Sequence, residues 1–252
     1  MSNILAEINA KEIKKLVRKD TIALLIFGAC ENHGNHMPFG SDFITPFELA
    51  KRVASKYRNL IILPPVPYGV SSHHKDFFMT ISLEPKTMIE VVRDLLISVV
   101  SNGIRRILII NGHDGNIAPI ELAARSVKEK NPDVVIACLE SWWQLVGKAL
   151  GKTLKSWQGL GHGGEAETSA MLALRPDLVN IKNAPKTIIP KLPEDVRIYW
   201  KFKELSDTGA TGAPRRASKE KGEKIAKVLE DTILSFIRKM DKDGWKYGIS
   251  LK

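Results

Sequence analysis

Four short apolar runs, each continuous rather than alternating, constrain this chain more than any other feature. They are Thr21 to Gly28 (TIALLIFG), Leu60 to Leu63, Ile107 to Ile110 (ILII) and Val134 to Leu139. Each has strand length and no polar face, so each predicts a strand covered on both sides, as in a parallel sheet between helices. The segments between them carry helical spacing. A helix is expected over residues 45–56, with Phe47, Ala50 and Ala54 on one face. A second runs over 85–101, opened by Pro85 and stopped by Gly103, and a third over 118–130, ended by Asn131-Pro132. After a glycine-rich segment at 159–164, a short helix reaches about Leu174 and stops at Arg175-Pro176. Residues 181–213 read as irregular. A last helix over 218–240 carries Ile225, Val228, Leu229, Thr232, Ile233 and Phe236 as its apolar stripe. Strand, helix, strand in this order predicts an α/β fold with a mostly parallel sheet and helices on both faces. No linker or internal repeat interrupts it, so one domain over residues 1–252 is expected.

The charge of +10 at first suggests nucleic acid, but it is unevenly placed. Residues 1–181 carry 21 basic and 18 acidic groups, against 17 and 10 in residues 182–252. In that last quarter Lys219, Lys221, Lys224 and Lys227 alternate with Glu220, Glu223 and Glu230, the pattern of a solvated helix face. Nucleic acid is therefore not the expected partner. Cys30 and Cys138 form neither a CxxC pair nor a disulfide framework and suit a reducing compartment. The first residues lack the basic and apolar regions of a signal peptide, and no apolar run has membrane-spanning length. A cytoplasmic protein is expected.

All six histidines lie in four glycine- or serine-rich loops: His33 and His36, His73 and His74, His113, and His162. The first three loops follow the first three strands. In an open parallel sheet the ligand crevice lies outside the carboxyl ends of the strands, so these side chains should converge there. In the first loop Glu31 and His33 are two apart and can face one side of an extended segment, while Pro38 and Gly40 let the chain turn back to bring in Asp42. Carboxylate, imidazole and carboxylate form a donor set suited to zinc, manganese or iron. The third loop adds His113 and the fourth adds His162, Glu165 and Glu167. Glu165 and Glu167 stand roughly 200° apart around a helix axis, so only one should face the others. No GxSxG elbow or P-loop is present.

The sequence EnHGnHmPfGsD, then NGHdGN, then HgGEaETS, with TGAtGaPrrASkeKG near the C-terminus, resembles the creatininase (creatinine amidohydrolase) family in motif order over about residues 20–240. The resemblance implies a three-layer α/β/α fold, a homohexamer, and two divalent metal ions per chain. It implies hydrolysis of a small cyclic amide, an N-formyl compound or a related ring carbonyl by a hydroxide held between those ions. Some relatives deformylate a pyrimidine intermediate of flavin or deazaflavin synthesis, and others act on inositol-derived cyclic ketones. A non-catalytic, metal-stabilised basic binding protein is the rival from another class. Carried over by position, Glu31 and His113 bind one metal, His33 the other, Asp42 bridges them, and His162 handles the proton of the leaving group. Creatininase has an aromatic residue and a ligating glutamate where this chain has Asp114 and Gly115. Glu165 is accordingly read as the missing carboxylate ligand, with Glu167 in a supporting role, and creatinine itself is disfavoured as substrate. The segment from Phe77 to Thr80 departs from the family's Pro-Gly-Thr element, which predicts a more apolar pocket wall. His74 and Asp114 are read as substrate-contacting, His36 as an anchor of its loop, and Trp142, Trp143 and Trp157 as either a substrate cover or packing residues.

Overall fold

The computed structural model describes residues 2–154, 161–192, 196 and 198–251. Four strands, β1 (Ile22–Phe27), β2 (Leu60–Ile62), β3 (Arg106–Asn111) and β4 (Val135–Leu139), form one parallel sheet in the order β2-β1-β3-β4. Every residue of β1 is buried. Because successive side chains of a strand point to opposite faces, Ile22, Leu24 and Ile26 enter one core and Ala23, Leu25 and Phe27 another.

The helices sort accordingly. Against the first face pack α2 (Ser41–Lys56), α5 (Trp142–Leu150), α6 (Glu165–Leu174) and α7 (Lys219–Lys242), through residues such as Leu49, Val53, Val146, Ala170, Leu229 and Ile233. Against the second pack α3 (Pro85–Ser101) and α4 (Ile117–Lys130), through Met88, Val92, Leu96, Ile120 and Val127. The result is the expected three layers. A short α1 (Ala10–Leu16) precedes β1, held by a capping box in which Asn9 and Glu12 serve each other's backbone N–H groups, and it buries no residue.

Two helices depart from the sequence reading. The periodicity announces neither α1, which has no buried face, nor α5, whose Trp-Trp start and internal Gly147 weaken the helical signal. The start of α2 also differs. The helix expected from residue 45 begins at Ser41, which places Asp42 in its first turn rather than in a returning loop. Pro46 has no N–H to give to the Asp42 carbonyl. That carbonyl faces Gly112 so closely that a Cβ at position 112 would collide with it.

The chain leaves β1 for β2 on one side and later returns to β3 on the other. The loops after β1 and β3 therefore flank the point where strand order reverses, the expected place for a ligand crevice. No helix among the described residues is long and apolar enough to cross a membrane.

Candidate metal centre

Glu31 follows β1 and is completely buried, as are, to within a few per cent, His33, Asp42, His74 and His113. Asp42 divides its carboxylate between two imidazoles. Its Oδ1 lies 2.9 Å from His33 Nε2, and its Oδ2 lies 3.1 Å from His113 Nδ1. Glu31 Oε1 is the hub, at 3.4 Å from His113 Nδ1, 3.6 Å from His162 Nδ1 and 3.6 Å from His74 Nε2.

The histidines are aimed by the main chain. A carbonyl only accepts, so the ring nitrogen facing one must carry the hydrogen. His33 Nδ1 donates to the Glu31 carbonyl at 3.1 Å, His113 Nε2 to the Val70 carbonyl at 2.9 Å, and His162 Nε2 to the Asn32 carbonyl at 2.6 Å. In each ring the opposite nitrogen is left to face Glu31 or Asp42, the way metal-binding histidines are commonly oriented. Gly115 serves the same end, since a Cβ there would meet the Val70 carbonyl.

The electrostatics follow from burial and proximity. Burial opposes ionisation of Glu31, but the charged His113 beside it holds its carboxyl well below the usual range. Burial opposes a charge on His33, and Asp42 outweighs it, raising the imidazole to about 10. His113 is likewise raised, against burial, by Glu31 and Asp42. His162 and His74 go the other way: burial keeps both neutral, His74 at about 3.

Both oxygens of Glu31 and Oδ2 of Asp42 are buried without a hydrogen-bond partner. Buried carboxylate oxygens are costly to leave so, and three of them among imidazole nitrogens form a donor set that fits divalent cations. Two overlapping groups meet the spacing for an ion: Glu31, His33 and His162, and Glu31, Asp42 and His113.

The fourth loop corrects one expectation. Glu165 points away from this cluster and is ion-paired, fully buried, with Lys221 of α7. Glu167 faces the cluster instead. Its Oε2 accepts the Gly163 N–H at 2.6 Å and lies 3.9 Å from His33 Nε2, and burial pushes its carboxyl up to about 7. His36 stands outside the cluster, with Nε2 shared between the Gly163 carbonyl at 3.1 Å and Thr168 Oγ1 at 2.9 Å, and ties the first loop to α6.

A cavity of about 350 Å3 opens over the cluster, with Glu31, Asp42, His113, His162 and Glu167 in its lining. His74 lines it too, stacked on Phe202 with ring centres 4.2 Å apart, and Asp114 lies on it in the turn after β3. Trp143 borders the cavity whereas Trp142 belongs to the core; Trp157 lies outside the described residues. Sequence reasoning missed Trp200 and Phe202 as wall residues. The only signal was two aromatics one residue apart in a segment without regular structure.

The family model described as creatininase, creatinine amidohydrolase, matches residues 6–237. The chain is 31% identical to creatinine amidohydrolase of Pseudomonas putida, over 94% of this chain and 96% of that protein. It is 24% identical to a mycofactocin precursor peptide peptidase of Mycobacterium ulcerans (strain Agy99), over 93% and 92%. Among solved structures, a manganese creatininase superposes with a TM-score of 0.84 at 29% identity, covering 95% of this chain and 98% of that one. A Zn-Zn form of a mutant creatininase gives 0.84 at 30%, with the same coverage. On fold, motif order and sequence, the chain belongs to the creatininase (creatinine amidohydrolase) family.

Proposed function

We propose that this protein is a metal-dependent amidohydrolase that opens a small cyclic amide or cleaves an N-formyl or related ring-carbonyl compound. Glu31, Asp42 and His113 would hold one divalent cation, and His33 and Glu167, with the other oxygen of Asp42, a second. The observation that carries this reading is the set of three partnerless carboxylate oxygens facing imidazoles fixed by backbone carbonyls, beneath an open cavity. Two such cations would polarise the scissile carbonyl and acidify water to a nucleophile near neutral pH.

The chain's own groups do the rest. Asp42 turns one oxygen toward His33 and the other toward His113, so its negative charge would offset the repulsion between two cations. The Val70 and Glu31 carbonyls fix His113 and His33 in the tautomers that leave a nitrogen for binding. His162 gives its Nε2–H to Asn32, so its Nδ1 is the atom available to take up or pass on a proton at the floor of the cavity. His74 and Phe202, stacked on each other, wall the cavity on that side.

A mycofactocin precursor peptide peptidase is 24% identical in sequence over 93% of this chain, but a cavity of about 350 Å3 favours a compact substrate over a chain. The test is a hydrolysis screen of lactams, N-formyl compounds and cyclic ketones on protein reconstituted with zinc, manganese or iron. Turnover that vanishes on chelation and in Asp42→Asn is expected. Turnover indifferent to both would overturn the reading.

A further inference from the structure

We infer, resting on the metal-dependent reading above, that Asn116 is a positioning residue of the metal centre. Its buried amide holds Val70 in the place from which the Val70 carbonyl aims His113 at Glu31 and Asp42.

Asn116 is completely buried and stands just ahead of α4, where an asparagine side chain ordinarily caps the helix. It makes no capping bond. Its amide reaches across the carboxyl edge of the sheet instead. The Oδ1 accepts the Val70 N–H at 3.0 Å, and the Nδ2 donates to the Gly28 carbonyl at 2.9 Å. One side chain from the loop after β3 thereby joins the loops after β1 and β2. Gly69 leaves the room for it. A Cβ at position 69 would stand 2.5 Å from Asn116 Oδ1 and 2.9 Å from its Nδ2, in the space the amide needs.

The hydrogen bonds close a circuit around His113. The Asn116 N–H donates to the His113 carbonyl at 3.2 Å, Asn116 Oδ1 takes the Val70 N–H, and the Val70 carbonyl takes the His113 Nε2–H at 2.9 Å. Asn111 holds the main chain of His113 from the other side. Its Nδ2 donates to the His113 carbonyl at 2.7 Å, and its Oδ1 accepts the His113 N–H at 3.2 Å. With both main-chain groups fixed, what remains free is the turn of the ring. The Val70 carbonyl sets it, Ser71 Oγ being a more distant partner of Nε2 at 3.4 Å. Nδ1 is then left facing Asp42 Oδ2 at 3.1 Å and Glu31 Oε1 at 3.4 Å. Groups that orient a metal-binding imidazole from behind are worth roughly 10–100-fold in metal affinity.

The segment carrying Val70 is also tied from its far side. The Ser71 N–H donates to Ser82 Oγ at 2.9 Å, and the Leu83 N–H to the Gly69 carbonyl at 2.8 Å. Those bonds fix the neighbours of Val70, whereas Asn116 takes the N–H of Val70 itself. A purely structural role and a positioning role therefore separate by experiment.

The test titrates the metal-free protein with cobalt(II), read by visible absorption and by competition with a chelator. Before metal is added, 15N-edited NMR follows the exchange of the His113 Nε2–H with solvent. Asn116→Ala should weaken cobalt binding roughly tenfold or more, alter the absorption band, and speed the Nε2–H exchange by a similar factor. Asn116→Ser is too short to reach Val70 and carries the same prediction should the alanine variant fail to fold. In Asn116→Asp a buried carboxyl facing the Gly28 carbonyl takes the protonated form, which offers the same acceptor and donor. It should restore affinity and exchange to within about threefold of the unaltered protein, a small part of the loss. Ser82→Ala, which removes a hydrogen bond from the same segment, should leave both within about threefold as well. Unchanged cobalt affinity and absorption in the alanine and serine variants, or an equal loss in Ser82→Ala, would overturn the inference. A slow Nε2–H that becomes labile in Asn116→Ala, in a protein that binds no cobalt, would support the aiming of His113 while removing the metal reading.

Discussion

Asp42 gives one oxygen to His33 and the other to His113, so one side chain links the loops after β1 and β3. Its replacement by Asn keeps the volume but removes the charge that offsets two cations. Asp42→Asn is therefore expected to lose most bound metal and to lower turnover by at least about 100-fold, read by elemental analysis and steady-state rates. Glu165 and Glu167 separate cleanly by experiment. Glu167→Gln should lower zinc occupancy with little change in the urea midpoint, because its carboxylate faces His33 from the cavity. Lys221→Met should do the reverse, removing a cation paired with the buried Glu165 and lowering the urea midpoint while zinc occupancy holds. The double change Glu165→Met, Lys221→Met should recover most of that loss.

At the scale of elements, the strands and the long helices are legible in the sequence because their periodicities report burial directly. All four strands lie within two residues of the apolar runs, and α3 spans the predicted 85–101. The convergence of Glu31, His33, Asp42 and His113 is legible too, since a parallel sheet gathers the loops at its carboxyl edge. What the sequence withholds is rotation. Whether Glu165 or Glu167 faces the cavity depends on how α6 is turned against α7, and that is set by contacts remote in sequence. Lys221 pairs with Glu165, the Ser218 N–H donates to Ser169 Oγ, and Gly222 lets the Ser169 carbonyl approach. Position 222 therefore has no room for a side chain. Gly222→Ala should force the two helices apart and destabilise the fold by about 1–3 kcal/mol, the range for overpacking, with a lower melting temperature as the readout. The C-terminal motif, noticed in the sequence only as a family signature, thus acts through helix orientation.

At the scale of the whole molecule, several basic residues on and around α7 are engaged in local pairs. Lys224 pairs with Glu220, Lys227 with Asp231, and the buried Glu230 takes Lys56 with Arg52 close by. Stability should nevertheless depend on pH through His36, which burial lowers to about 4 from an ordinary 6.5. Below pH 6.5 the unfolded chain takes up a proton that the folded one refuses. The His36 contribution alone should thus be full above about pH 7 and decline between 6.5 and 4, by roughly 3 kcal/mol in total, read as the difference between the protein and His36→Gln. Urea midpoints at pH 7 and pH 5 measure it, and His36→Gln should flatten the slope. The most direct measurement on the account as a whole is the metal content of the purified, unchelated protein. About two tightly held divalent ions per chain are predicted, with most of them lost in Asp42→Asn. Less than about one ion per chain, unchanged after incubation with zinc, manganese or iron, would contradict it.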